Sequence, residues 1–410
     1  MRILYVTPAY KPAYRMGGPI ASVSTAAERL VARGHEVEVV TTNANLDEDL
    51  DVPLGRPVVI DGVTVRYYGR TEPLRKWLPF VPYLSRSMGY TYAAGMKAAL
   101  DELVPRSDIV HTHMPFVYPT YAASRAALRH GKPLLYHQRG VYLRSHLSRR
   151  RGKKEIYITL FEKPVMRRAA ALVALTEAER EAFRALAPET YCEVIPNGVD
   201  VPAPDADAAA RVEARHGIAR DAVVILFLAR LHPWKGVDEL AGAFAAVQRE
   251  IPDLYLVLAG VDECNAERRW RPIAERDGFA DRILFTGAIA GSLKSDLLHR
   301  ADLFSLPSAG EGLSMSVLEA LAHSTAVMVS PQCNFPEAGA EGAGITVAKD
   351  AAAMADALRR LAGDRDRLRR MGAAGRELAI RRYSWDVVTD RLIDLYERSR
   401  GAARSSLSRR

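Results

Sequence analysis

The chain has 410 residues, 48% of them hydrophobic and 26% charged, with a formal net charge of +8. That length suits two or three domains, each with a core of its own, and the composition excludes a disordered or fibrous chain. No apolar run reaches the roughly 18 residues of a membrane-spanning helix; Cys192, Cys264 and Cys333 are too few and too scattered for a disulfide framework or a paired-cysteine metal site.

In chain order, residues 1–6 form a short apolar segment that reads as a first buried strand rather than a leader peptide. A Gly- and Pro-rich loop follows, then a helix pattern over 20–32 ended by Gly34, and a period-two strand over 36–41. Further buried strands are expected at 63–67, 109–111, 134–136, 171–175 and 192–195. Thr176-Glu177-Ala178-Glu179 is a capping box and starts a helix. Strands alternating with helices imply right-handed crossovers and a parallel sheet.

The alternation then breaks. Around Pro196, Pro202 and Pro204 the chain turns small and acidic with no strand pattern. Residues 197–220 read as a linker between a first domain, 1–196, and a second, 221–382. Strands are expected at 223–229, 254–259, 283–286, 303–306 and 326–329, each followed by a helix pattern, then helices over 351–362 and 364–382. A last helix, 383–399, returns to brace the first domain, and the Ser/Arg-rich tail 400–410 is expected to be disordered. The fold class is α/β, with two doubly wound units. Ligands of such sheets bind at the carboxyl ends of strands, and two facing units make a cleft there.

The charge is uneven. Residues 1–200 hold 28 Lys and Arg against 20 Asp and Glu, whereas residues 201–410 hold 29 of each. An acidic partner of the first half matches that asymmetry, whether anionic lipid, nucleic acid or a charged substrate. The three cysteines read as core-packing thiols of a reducing cytosol.

Two stretches carry chemistry. In "ILFLARLHPWKGVDEL" a buried strand ends in a loop with Arg230 and Lys235, closed by Gly236 at the start of a helix. Two cations beside a helix N-terminus suit phosphate. In "PSAGEGLSMSVLEALA" Gly310 and Gly312 let backbone approach a ligand, and the N–H groups of Leu313, Ser314 and Met315 open the next helix. Glu311 lies in the glycine turn and Glu319 amid an apolar helix. Carboxylates accept paired bonds from hydroxyls, so two of them beside a phosphate site suggest two polyols, a ribose and a hexose. Asp47-Glu48-Asp49 and Asp205-Ala206-Asp207 imitate a D-x-D metal motif, but neither ends a buried strand, and both read as solvated charge.

These residues resemble those of the retaining glycosyltransferases of family four, which have the GT-B fold and use nucleotide-sugar donors. The family's E-x7-E stands here as Glu311 and Glu319, its phosphate-binding Arg and Lys as Arg230 and Lys235, its interdomain signature as "VIPNGVD" at 194–200, and its returning helix as "YSWDVVTDRLIDLYE" at 383–397. The resemblance implies that Glu319 binds the ribose, that Glu311 contacts the sugar ring, and that Arg230 and Lys235 neutralise the leaving diphosphate near Gly17-Gly18. His113, at the end of the strand Ile109-Val110-His111-Thr112-His113, matches the histidine that faces the reacting carbon. His137 and Arg139, in "YHQRGVYLRSHL", stand on the donor or acceptor side. Ser324-Thr325 and Leu313-Ser314 depart from the family pattern and leave the donor sugar open.

The resemblance implies sugar transfer to an acceptor hydroxyl with retention of configuration, with no catalytic metal, no resident cofactor and no nucleic-acid partner. The acceptor would be a sugar or a lipid-linked sugar in cell-surface polysaccharide or glycolipid synthesis. Cations interleaved with aromatics at 72–92 and the basic run at 143–154 suit an anionic membrane surface, which implies a cytoplasmic protein peripheral to the membrane. Two alternatives stay open. A sugar-nucleotide epimerase of like fold needs no acceptor. A non-catalytic binder of anionic lipid or polymer explains the basic half but not Glu311 and Glu319.

Overall fold

A computed structural model describes residues 1–46, 48–70, 92–143 and 151–407. The chain forms two units: residues 1–198 together with the chain from Trp385 onward, and residues 199–384.

The first unit is built on an eight-stranded sheet in the order β10-β9-β8-β7-β1-β2-β6-β5. The strands are β1 Arg2–Val6, β2 Glu36–Thr42, β5 Pro57–Ile60, β6 Val63–Tyr68, β7 Ile109–His113, β8 Leu134–His137, β9 Ala171–Ala174 and β10 Cys192–Val194. All pairs are parallel except β5 with β6. A small antiparallel pair, β3 Ala44–Asn45 and β4 Glu48–Asp49, lies beside it. The central strands β1, β7 and β8 are buried almost throughout because both faces are covered. Alternate residues feed two cores. Leu4, Val6, Val110 and Leu134 join one, and Ile3, Tyr5, Ile109 and Leu135 join the other.

The last helix, Trp385–Leu407, covers that second core with Trp385, Val388, Leu392 and Tyr396. It thus returns to the first unit, and it runs past residue 399 through much of the stretch expected to be disordered. A Cβ on Gly198 would lie 2.3 Å from the Trp385 ring, so only glycine fits under that indole. This contact joins the two signatures read from the sequence, "VIPNGVD" and "YSW".

The second unit holds a six-stranded, wholly parallel sheet in the order β13-β12-β11-β14-β15-β16. Its strands are β11 Val223–Leu228, β12 Leu254–Ala259, β13 Ile283–Gly287, β14 Leu303–Leu306, β15 Ala326–Val329 and β16 Gly344–Thr346. From residue 199 on, the stretch expected as a linker belongs to this unit, and it carries a helix, Ala208–His216, ended by Gly217 at φ 68°. The described members of the two acidic triplets are exposed, as expected of solvated charge, and three of them also meet arginines: Asp205 with Arg211, Asp49 with Arg70, and Glu48 with Arg15; Asp47 lies outside the described residues. Of the cysteines only Cys333 is buried; Cys192 and Cys264 are half-buried.

Candidate functional site

In each sheet the strand order reverses at one place, between β11 and β14 in the second unit and between β1 and β7 in the first. Loops leaving such a switch point diverge and leave a crevice at the strand ends. Both stretches singled out in the second half leave the β11/β14 point.

The loop after β11 passes through a short turn, Pro233–Lys235, where His232 Nδ1 accepts from the Trp234 N–H at 3.0 Å. Gly236 follows at φ 80°, and a Cβ there would lie 2.2 Å from the Pro307 carbonyl oxygen. Glycine therefore lets this loop touch the one after β14. Trp234 Nε1 donates to Gly310 O at 3.1 Å, and the Ala309 N–H donates to Trp234 O at 2.7 Å. With the loops laced together, Lys235 Nζ donates to Glu311 Oε1 at 2.6 Å. The Glu311 backbone is held too: its N–H donates to Gln332 O at 3.0 Å, and its carbonyl accepts from Asn334 Nδ2 at 2.7 Å. Both side chains keep some surface, 20% for Lys235 and 12% for Glu311.

Glu319 stands on the helix Met315–Ala322, between buried Leu318 and Ala320, and accepts from Lys294 Nζ at 2.9 Å. Lys294 lies on the helix Gly291–Arg300, and no sequence spacing linked it to Glu319. No side chain caps the helix that Ser314 opens, so its first N–H groups suit an anion. Leu313 is buried, so its side chain packs inside and does not reach outward as a contact. Arg230 stands apart: it is exposed and donates to both carboxylate oxygens of Glu263 at 2.9 Å.

In the first unit, Gly17 has φ 92° and ψ −164°, a conformation glycine alone adopts readily, and it opens the helix Gly18–Ala32. β7 carries His111 and His113, and β8 places His137 opposite His113. Just beyond these strand ends Met114, Phe116 and Arg139 have φ of 66°, 64° and 51°. Left-handed backbone in bulky residues is uncommon and costs about 1–3 kcal/mol each, and it clusters where a fold serves a site. Buried Glu162 supports this turn by accepting from the Phe116 N–H at 3.0 Å.

The three histidines are buried, and burial above all holds each imidazole well below its ordinary pKa and therefore neutral; the positive Arg139 adds to this for His111 and His137, and His111 followed by Arg139 for His113. His111 Nδ1 lies 2.8 Å from Tyr396 OH, itself 2.8 Å from Tyr5 OH. Ring nitrogens of His111, His113 and His137 come within 4.8 Å of one another. The set does not suit a divalent cation. A metal-bound histidine donates its other ring N–H to an acceptor, whereas His113 Nδ1 faces the donating Nε of Arg139 at 3.3 Å.

Arg139 is half-buried, and burial lowers its pKa to about 10, which leaves it charged at neutral pH. Its Nη1 donates to Ser22 Oγ at 2.9 Å and to Asn197 Oδ1 at 3.0 Å. Glu179 was read as the far half of a capping box. Its backbone N–H does receive the Thr176 cap at 3.3 Å, but its side chain turns inward and accepts from the Leu175 N–H at 2.8 Å. Fully buried there, its carboxyl is raised to about 7, chiefly by desolvation.

Two family models match the chain: "Glycosyl transferase 4-like domain" over residues 17–198 and "Glycosyl transferases group 1" over residues 209–378. The D-inositol 3-phosphate glycosyltransferase of Stackebrandtia nassauensis is 30% identical over 398 residues, covering 93% of this chain and 86% of that protein. The GDP-mannose-dependent alpha-(1-6)-phosphatidylinositol monomannoside mannosyltransferase of Mycobacterium tuberculosis is 33% identical over 221 residues, covering 51% of this chain and 57% of that relative, so this match spans little over half its length. Among solved structures, sucrose-phosphate synthase of Thermosynechococcus elongatus aligns with TM-score 0.72 and 19% identity, over 98% of this chain and all of that one. Anabaena HepE in complex with UDP aligns with TM-score 0.72 and 18% identity, over 96% and 99%. At such identities the structures speak for the fold, which is GT-B, and the matches along the sequence speak for descent. The chain belongs to the glycosyl transferases group 1 family, the retaining glycosyltransferases of family four.

Proposed function

We propose that this chain moves a sugar from a nucleoside diphosphate to an acceptor hydroxyl with retention of anomeric configuration. The observation that carries the reading is the loop pair of the second unit. There Lys235 and Glu311 are bonded beside an uncapped helix N-terminus, with Glu319 in the next turns. Lys235 and the helix N–H groups stabilise the charge that grows on the leaving diphosphate, which is usually the largest catalytic contribution. Glu311 accepts from a sugar hydroxyl and Glu319 from the ribose. The leaving phosphate takes the acceptor proton. With the charge met by protein groups, the reaction proceeds without a metal.

The names of the relatives direct the substrate search. They suggest GDP-mannose as a donor and phosphorylated inositols, free or lipid-linked, as acceptors, and UDP, bound in a structure of the same fold, gives UDP-sugars as a second donor class to screen. The test mixes each donor with each acceptor and follows free nucleoside diphosphate. Release that depends on an acceptor hydroxyl, with an axial donor bond giving an axial product bond by NMR, is the expected result. Conversion of the donor sugar without any acceptor would instead identify an epimerase.

A lipid-linked acceptor would bring the chain to an anionic bilayer from the cytoplasmic side. Among the described residues, Ile156 and Leu160 are each 62% exposed and stand four apart, just beyond the basic run of the first half. Apolar side chains beside cations suit an anionic membrane surface. The aromatic stretch at 72–91 and residues 144–150 lie outside the described residues. No helix among those described is long and apolar enough to cross a membrane. Sedimentation with anionic vesicles at low salt, lost on Ile156→Gln with Leu160→Gln, tests the idea; a protein that stays in the supernatant at low salt removes it.

A further inference from the structure

Arg139 has an unusual hydrogen-bond shell for a guanidinium so enclosed. Its three partners, His113 Nδ1, Ser22 Oγ and Asn197 Oδ1, are all neutral acceptors. No carboxylate lies within ion-pair distance of it among the described residues, and buried Glu179 offsets its charge only from farther away, although enclosed arginines are ordinarily paired directly because an uncompensated charge is costly. Nε and Nη1 are engaged, whereas Nη2 makes no hydrogen bond among the described residues. The residue keeps some surface, while His113 behind it keeps almost none. Arg139, Ser22, His137 and Asn197 form the polar side of a cavity of about 20 Å³ whose other walls are largely apolar, with Trp385 and Leu392 of the last helix among them; that is room for one water or one oxygen of a larger ligand. Ser22 lies in the second turn of the helix that Gly17 opens, and its hydroxyl donates to Pro19 O at 3.2 Å.

We infer that Nη2 of Arg139 is a binding site for a phosphoryl oxygen of a substrate, with His113, Ser22 and Asn197 as positioning residues that fix the guanidinium plane. Three neutral acceptors orient the group without cancelling its charge, and the spare pair of N–H donors meets an anionic oxygen at the cavity. That a substrate supplies the oxygen rests on the glycosyl-transfer reading; that the site takes an anion does not. Two sources fit the chemistry: the donor's diphosphate, or a phosphate on the acceptor.

The test is calorimetric binding of UDP, GDP and inorganic phosphate to the full chain, its Arg139→Gln and Arg139→Lys variants, and Asn197→Ala. Thermal unfolding confirms that each variant is folded. If the donor is the source, the nucleoside diphosphate binds about ten- to a hundredfold more weakly to Arg139→Gln, and inorganic phosphate competes with nucleotide. If the acceptor is the source, nucleotide affinity is unchanged, and inorganic phosphate binds the nucleotide-saturated protein but not Arg139→Gln. In either case Arg139→Lys keeps part of the affinity, and Asn197→Ala loses less than Arg139→Gln. Unchanged affinity for both nucleotide and phosphate in folded Arg139→Gln and Arg139→Lys overturns the inference. Sugar transfer enters none of these readouts. Intact anion binding without transfer activity would count against the proposed function and leave this site standing.

Discussion

Lys235 donates to Glu311 at 2.6 Å, so the cation assigned to the diphosphate and the carboxylate assigned to the sugar hold each other. A diphosphate oxygen approaching Lys235 competes with Glu311 for its N–H donors. Glu311→Gln weakens that competition while removing the charged acceptor for the sugar. We expect turnover to fall about ten- to a hundredfold, with affinity for the bare nucleoside diphosphate unchanged or tighter. Glu319→Ala should weaken the bare nucleotide itself. Titration calorimetry beside steady-state kinetics reads both effects, and a common loss of nucleotide affinity would overturn the division.

The two cations of the β11 loop should behave differently. Lys235 is enclosed and Arg230 is exposed against Glu263. An enclosed charge contact is worth about 1.5–3 kcal/mol, and an exposed pair about 0–1 kcal/mol. Lys235→Ala should therefore cost more in donor affinity than Arg230→Ala. Chelator should change neither enzyme nor variant. A strict requirement for added Mg²⁺ or Mn²⁺ would reject the metal-free mechanism.

The buried imidazoles predict acid lability. Their folded pKa values lie well below the ordinary 6.5, so below pH 6.5 the unfolded chain takes up protons that the folded chain refuses. The stability they bring is complete above pH 6.5 and is lost as pH falls below it. Glu179 has the opposite sign: with its carboxyl raised to about 7, folding gains as pH falls from 7 toward the ordinary carboxyl value. Three protons against one make the share of these four groups a slope of about 3 kcal/mol per pH unit at its steepest; His35, His216 and His323, also lowered by burial, add to it, and Glu162, raised by burial, subtracts. Urea unfolding at pH 7.5, 6.5 and 5.5 measures it. His137→Gln should flatten the slope by about one proton, and an unaltered slope would refute the assignment.

Gly198 has no room for a side chain beneath Trp385. Gly198→Ala should cost about 1–3 kcal/mol through overpacking, seen as a lower melting temperature. The same change beside Trp385→Leu should cost much less. Equal penalties in the two backgrounds would show that the indole is not the obstacle.

The alternation of strands and helices made the two α/β units legible in the sequence, because fully covered parallel strands are nearly unbroken apolar runs. Lys235, Glu311 and Glu319 were legible for a related reason: each follows closely on such a strand, at a switch point. What escaped depended on distant pairing. Lys294 meets Glu319 across 25 residues from another helix. The edge strand β5 begins at Pro57, a residue that argues against a strand unless it lies at an edge. Glu179 satisfied a local motif while its side chain answered to tertiary burial. His113 was read as the histidine that faces the reacting carbon; the structure buries it behind Arg139, whose neutral shell is assembled from residues 22, 113 and 197.

The split of the first unit sets an order on synthesis. Residues 199–384 are continuous and can fold as they emerge, but the first unit lacks its last helix until 186 further residues have been made. At about 5–20 residues per second, that is about 10–40 s. Through this interval Ile3, Tyr5 and Val39 have no Trp385, Leu392 or Tyr396 to cover them. A nascent chain halted at residue 384 should therefore show a protease-resistant second unit and a first unit still open to cleavage; resistance of both would mean that the helix seals a core already formed.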